Sequence, residues 1–404
     1  MGYKGIAYMR RKLKQKEHRV NLRYEYYDMK NLVRDLQIST PPKLVAWNSA
    51  LGWCAKSVDD LAARLRFKEF KNDYFGLNDI YALNNKDVLL RSGIHGALVT
   101  SCDFIYISEG EDGFPRLQVI DGGNATGEMD PITGMLREGY AVLERDTRTK
   151  QPSIEAYFLP GVTYIYYTGV RDPKTYKNPA PYPALVPIIY KPDERRPFGH
   201  SRISRSNMSQ VQGALRTIKR SEISAEFYSF PQKYINGLAE DAEMDKWQSA
   251  MSFLLQITKD EDGDKPEIGQ FTTVSQTPHL EQLKMFASLF AGESGLTLDD
   301  LGFPQSNPSS EGAIKAAHES MRLAATDAQA TFGTGFLNAG YIAACIRDGQ
   351  TYQRDVFSET TPKWYPAFEV DSSSISSIGD AVVKINQVLP GYWTEDKLDE
   401  LLGV

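Results

Sequence analysis

Residues 197–232 read PFGHSRISRSNMSQVQGALRTIKRSEISAEFYSFPQ. Pro197, Phe198 and Gly199 break the chain before this stretch and Pro231 stops it. Its middle is expected to form one helix of about 40 Å, at 1.5 Å per residue. Arg202, Arg205, Arg216, Lys219 and Arg220 stand on it against only Glu222 and Glu226. A long helix with basic residues along it and no evident active site suits an assembly part better than a compact enzyme.

On the C-terminal side, residues 229–277 read as a strand (PQKYINGL), a short helix (EMDKWQSAMS) and a hairpin tipped by DEDGD. A helix is expected over 278–291, with Leu283, Phe286 and Phe290 on one face and Gly292 and Gly295 ending it. Residues 296–308 read as a loop. A very long helix then starts at Ser309 or Ser310, either a good N-cap, with Glu311 in its first turn. It is expected to reach about Asp348, because apolar residues from Ile314 to Ile346 keep a 3-and-4 spacing. Gly333, Gly335 and Gly340 predict a bend in it. Beyond lie a strand in KWYPAFEV, a serine-rich link and two short helices.

On the N-terminal side, the first 40 residues read as helical and basic, ending near Pro41-Pro42. Trp47, Leu51, Cys54, Val58, Leu61 and Leu65, spaced 4, 3, 4, 3, 4, predict a helix packed on a core. Cys54 lies in that stripe and reads as a buried thiol. A short helix is expected over 78–92. Residues 96–191, rich in β-branched and aromatic residues between turn clusters, predict an antiparallel, meander-like sheet. The fold class is α+β.

With 404 residues the chain is expected to form more than one module. No apolar run approaches a membrane span, so no membrane partner is expected. Three scattered cysteines make no disulfide framework and suit a reducing cytoplasm. The net charge of −6 excludes a simple DNA-coating protein. Charge is instead segregated. Residues 1–23 hold Lys4, Arg10, Arg11, Lys12, Lys14, Lys16, Arg19 and Arg23 against Glu17, whereas Glu240, Asp241, Glu243, Asp260, Glu261, Asp262 and Asp264 make 240–267 acidic. No phosphate-binding G-x-x-x-x-G-K-[ST] loop and no G-x-G-x-x-G occurs, and no histidine pairs at metal-ligand spacing. No cofactor, metal or catalytic residue is expected. A competing reading is a hydrolase whose site assembles within 96–191.

Pro197-Phe198-Gly199 with Ser201-Arg202-Ile203-Ser204, then Ala225-Glu226-Phe227-Tyr228 and Pro231-Gln232, resemble the stem region of bacteriophage portal proteins of the long-tailed type. Gly292-Glu293-Ser294-Gly295, followed by Asn307-Pro308-Ser309-Ser310-Glu311 and Ala313, resembles that family's tunnel loop and the start of its long helix. Tyr26-Tyr27 and the helix Trp53-Cys54…Val58-Asp59…Leu61…Leu65 resemble its N-terminal wing. The likeness covers roughly residues 24–350, in the family's order.

The resemblance implies a portal fold: an α/β wing (1–196), stem helices (197–228 and 278–295), a small α/β clip (229–277), a tunnel loop (296–308), a long kinked helix with a wing return strand (309–371), and a short helical crown (372–404). It implies a homo-oligomeric ring, usually of about twelve subunits closing head to tail, in the virion at one capsid vertex, after assembly in the host cytoplasm. Double-stranded DNA passes through its channel, driven by the large terminase. The clip acids dock terminase and then a head-tail adaptor. The basic N-terminus reads first as a disordered tail or a contact for scaffold or major capsid protein, and after those as a contact for DNA. The remaining alternative to a portal within this class is another kind of phage structural protein. The stem residues Arg202, Arg205, Arg216, Lys219, Arg220, Glu222 and Glu226 meet acids or bases of their own or a neighbouring subunit. Leu298, Asp299, Asp300, Phe303, Gln305 and Asn307 line the channel. The acidic pair, with no lysine or arginine near it, would guide DNA without gripping it.

Overall fold

A computed structural model describes residues 2–34, 46, 48–110, 112–229, 233–236, 267–270, 275–304, 311–368, 372–394 and 398. Two compact units result. The first contains Met1–Asn31, Gly52–Met208 and Gly292–Val404, and the second Leu32–Leu51 and Ser209–Ala291.

The first unit opens with α1 (Ile6–Tyr27), which presses Met9 and Leu13 onto Tyr140, Val142 and Tyr157. It ends well short of Pro41: Asp28 follows it and Met29 turns left-handed at φ 59°. The disordered basic tail is not what forms: α1 packs on the meander, and two of its cations, Arg10 and Lys12, are met by strand carboxylates. Lys12 Nζ lies 2.6 Å from Glu128, Arg10 Nε donates to Glu155 at 3.0 Å, and Glu138 accepts the backbone N–H groups of Lys4 and Gly5 at the helix's N-terminus. A carboxylate at that position also complements the helix dipole.

On α2 (Trp53–Arg64) and its C-cap, Cys54, Val58, Leu61 and Leu65 of the expected stripe are buried, whereas Leu51 precedes the helix and is half-buried and Trp47 lies outside the described residues; burial pushes the Cys54 thiol up to about 12. After β1 (Phe67–Lys71), the single helix expected over 78–92 is two, α3 (Leu77–Leu83) and α4 (Lys86–Thr100), divided where Asn85 turns left-handed. Asparagine tolerates that conformation better than most residues. Helix α4 therefore absorbs the start of the first expected strand.

The strand-rich region forms two antiparallel sheets. Strands β4 (Ala125–Met129), β5 (Leu136–Arg145), β6 (Pro152–Leu159), β7 (Val162–Tyr167) and β8 (Lys174–Lys177) make the meander. In the other sheet β2 (Cys102–Glu109) lies between β3 (Pro115–Ile120) and β9 (Leu185–Ile189). Cys102, Asp103, Phe104 and Ile105 are all buried, which suits a central strand covered on both faces.

The second unit is built on α5 (Arg205–Ser229) and α6 (Thr277–Ser294), whose ends near Arg205 and Ser294 belong to the first unit. The Ser204 hydroxyl accepts the Asn207 N–H at 3.1 Å, so the helix starts at Arg205, several residues later than its sequence suggests. The two helices approach closely at Gly213, where a Cβ would lie 2.4 Å from the Phe286 ring. Thr217 donates to Gln282, and Ser221 to Gln276, along the same seam. Leu32, Arg34 and Ser49 contribute too: Gln212 donates to the Leu32 carbonyl and accepts the Arg34 N–H, and Ser49 donates to Glu222. Strands β10 (Lys233–Asn236) and β11 (Glu267–Gln270) pair antiparallel. The expected EMDKWQSAMS helix and DEDGD tip lie outside the described residues.

Returning to the first unit, Gly295 (φ 70°) ends α6, and a short turn, Asp299–Leu301, leads on. The expected long helix is split at His318 into α7 (Glu311–Ala317) and α8 (Glu319–Asp348). Helix α8 runs unbroken through Gly333, Gly335 and Gly340. These glycines are there for close approach: added Cβ atoms would lie 2.7 Å from Pro362, 2.9 Å from Ile188 and 3.1 Å from Leu77. Strand β12 (Thr361–Trp364) pairs with β1. The serine-rich link is instead the first turns of α9 (Ser372–Val388).

Candidate functional site

The residues singled out as stem separate into two groups. Arg202 precedes α5 and is buried within the first unit. Its Nε donates to the Ser57 carbonyl at 2.6 Å and its Nη2 to the Ser294 carbonyl at 2.6 Å, with the Tyr190 hydroxyl at 3.4 Å. The last turn of a helix leaves carbonyls without intrahelical partners, and a cation there also complements the dipole. Arg202 is therefore a latch on the end of α6 and does not belong to a helix face. No spacing rule announces it; a latch of this kind is found only when three distant segments meet.

The other group lies on α5. Arg205 is exposed, Arg216 and Arg220 are half-buried and Lys219 is buried. Arg216 donates to the Arg34 carbonyl at 3.4 Å. Val211, Gln212, Gly213, Ala214 and Leu215 are all buried, so this helix is a packed element and its basic residues do not form one solvated face. The side chain of Glu226 lies outside the described residues.

In the loop after α6, the two aspartates differ. Asp299 is exposed. Asp300 is half-buried and accepts both the N–H and the hydroxyl of Thr297 at 2.8 Å, while its own N–H donates to that hydroxyl at 3.2 Å. This reciprocal cap fixes the turn. Leu298 and Phe303 are half-buried, and the Phe303 N–H donates to the Leu298 carbonyl at 3.0 Å. Gln305, Asn307 and the acidic positions Glu240, Asp241, Glu243, Asp260, Glu261, Asp262 and Asp264 lie outside the described residues.

A hydrolase within 96–191 would need a perturbed acid in an open pocket. Asp103 is the perturbed acid: burial and the neighbouring Asp121 hold its pKa well above the usual carboxylate range. It is sealed, however. Its Oδ1 accepts Thr100 Oγ1 and the Gly122 N–H, and Oδ2 is packed so tightly on Gly96 that a Cβ there would lie 1.8 Å away. Among the described residues, no group of three or more His, Cys, Asp and Glu could hold a metal, and no helix is long and apolar enough to cross a membrane.

No protein-family model matches the chain. The portal protein of Mycobacterium phage L5 is 22% identical over 356 residues, which is 83% of this chain and 73% of that protein. The portal protein of Mycobacterium phage D29 is 21% identical over the same shares. Among solved structures, a chain of the virion of the native gene transfer agent (GTA) particle aligns over 87% of this chain and 89% of its own, at 13% identity and a TM-score of 0.46. A chain of the native GTA neck, computed with C12 symmetry, gives the same values. Over 356 residues, as in its short motifs, the chain resembles the portal proteins of bacteriophages.

Proposed function

We propose that the chain is a portal subunit: copies close head to tail into a ring at one capsid vertex of the virion, and double-stranded DNA enters and leaves through the axial channel. The observation that carries this reading is the alignment with two phage portal proteins over 83% of the chain. In this reading residues 1–196 are wing, α5 and α6 the stem, 229–277 the clip that docks the large terminase and later an adaptor, and 372–404 a short crown. A closed ring needs two different, complementary faces on each subunit. The loop from Gly295 presents the carboxylate of Asp299 to the DNA, and a negative lining lets a polyanion slide. The motor is a separate protein, so the chain itself needs no nucleotide site.

Native mass spectrometry with negative-stain imaging of the same sample tests the reading. A ring of about twelve 45.4 kDa chains around an open channel is expected. A compact dimer, in the presence of scaffold as well as without it, would overturn it.

A further inference from the structure

Four cations lie along one face of α1. Lys12, Lys16, Arg19 and Arg23 are spaced 4, 3 and 4, the rhythm of a single helical stripe. The stripe runs beside the turn that follows β9. Lys12 Nζ sits 5.4 Å from the centre of the Phe198 ring, Lys16 Nζ 5.4 Å from that of Phe104, and the two rings are 6.2 Å apart. At the far end Arg23 Nη1 donates to the Thr100 carbonyl at 2.5 Å. The adjoining Ser101 carbonyl accepts the Tyr190 N–H, and the Tyr190 carbonyl accepts the His200 N–H. His200 Nδ1 in turn lies 3.2 Å from Arg196 Nη1. This run of short contacts brings Arg196 to the end of the stripe held by Arg19 and Arg23.

The nearby carboxylates are already engaged. Glu128 neutralises Lys12 within the stripe, Asp121 takes the Tyr24 hydroxyl and the Gly123 N–H, Asp103 takes Thr100 and Gly122, and Asp193 takes the Arg196 backbone N–H and the His200 ring. Among the described residues Arg19, Arg23 and Arg196 make no ion pair. Burial, and then the like charges of Arg19 and Arg196, pull the Arg23 pKa down to about 10. Guanidinium groups gathered with no carboxylate paired to them store a repulsion that a bound anion relieves, and their planar forks match phosphate oxygens.

We propose that the α1 stripe, closed by Arg196, binds the phosphodiester backbone of nucleic acid, with Arg19, Arg23 and Arg196 as its grip. From Lys12 to Arg23 the helix spans about 16 Å, the axial rise of roughly five successive phosphates of one strand. An evenly spaced row of cations fits that repeating charge better than the irregular carboxylates of an acidic peptide. The site lies within one unit of a single chain, so it stands whether or not chains close into a ring.

The test is fluorescence anisotropy of a labelled DNA duplex of about two turns, titrated with the full chain at several salt concentrations. Binding should weaken as salt rises, with a log–log slope of roughly −3 for about three neutralised phosphates. Arg19→Glu with Arg196→Glu, both exposed positions, should lower affinity about ten-fold or more and flatten the slope by about two. Arg148→Glu with Lys150→Glu, at the exposed turn between β5 and β6, makes the same charge change and should leave binding within about two-fold. Should the Glu pair fail to fold by circular dichroism, Arg19→Gln with Arg196→Gln replaces it, with a smaller loss expected in the same direction. Equal losses in both pairs would reduce the binding to net charge and overturn the site. So would binding unaffected by changes at Arg19 and Arg196, or stronger competition by polyglutamate than by unlabelled duplex.

Discussion

The Arg202 guanidinium and the Ser294 carbonyl are joined by a 2.6 Å hydrogen bond between the residue that introduces the first long helix and the last residue of the second. The same guanidinium holds the Ser57 carbonyl. Arg202→Met strands two buried acceptors. The chemical-unfolding midpoint should fall, corresponding to at least about 2 kcal/mol, because each unsatisfied buried group costs about 1–3 kcal/mol. Arg202→Lys keeps the charge but not the fork and should lie between the two. A loss below about 1 kcal/mol in the methionine variant would show that the latch is not closed in solution.

Gly213 and Phe286 set the spacing of α5 and α6. Gly213→Ala should cost roughly 1–3 kcal/mol, the range for overpacking. Phe286→Leu in the same chain should return part of that loss. A double-mutant cycle reads the coupling, and simple additivity would mean the two residues do not touch.

Asp103 confers a pH dependence whose sign follows from its raised pKa. The folded state holds the proton more tightly than the unfolded one. Its contribution is therefore complete below the ordinary carboxylate value and is lost as pH rises through the raised value. Asp103→Asn keeps an acceptor for Thr100 and Gly122 and removes the titration. Melting temperature across this pH range should decline for the wild type and stay flatter for the variant. Parallel curves would show that Asp103 is already ionised in the fold.

Asp299 and Asp300 should respond differently to the same change. Asp299→Lys alters an exposed charge and should leave the melting temperature within a degree or two, while slowing DNA packaging in an in-vitro assay. Asp300→Lys also breaks the cap on Thr297, worth about 1 kcal/mol, so hydrogen exchange across 296–304 should accelerate. Unchanged packaging with Asp299→Lys would remove the role proposed for the loop's charge.

What could be read from the sequence was local. The stripe read from Trp47 to Leu65 declared α2, because one buried face imposes one period, although its rhythm began at residues before the helix. The meander from β4 to β8 was marked by its turn clusters. What stayed hidden depended on distant partners. Arg10 and Lys12 of α1 looked unpaired because Glu155 and Glu128 reach them only once the strands are in register. Gly333, Gly335 and Gly340 announced conformational freedom, but not that Pro362, Ile188 and Leu77 would press against them. Arg202 had the composition of a helix face and became a latch through Ser57 and Ser294.

The pairing of β1 with β12 joins Phe67 to Trp364, and the Tyr81 hydroxyl donates to the Phe336 carbonyl. On the ribosome, Phe67, Phe70 and Tyr81 are made early but wait uncovered while the whole of 209–291 is synthesised. At 5–20 residues per second the interval from Tyr81 to Trp364 is roughly fifteen to sixty seconds. A nascent chain of this kind spends its most aggregation-prone period with an aromatic cluster open, and chaperone demand during synthesis should peak there, easing when Trp364 emerges.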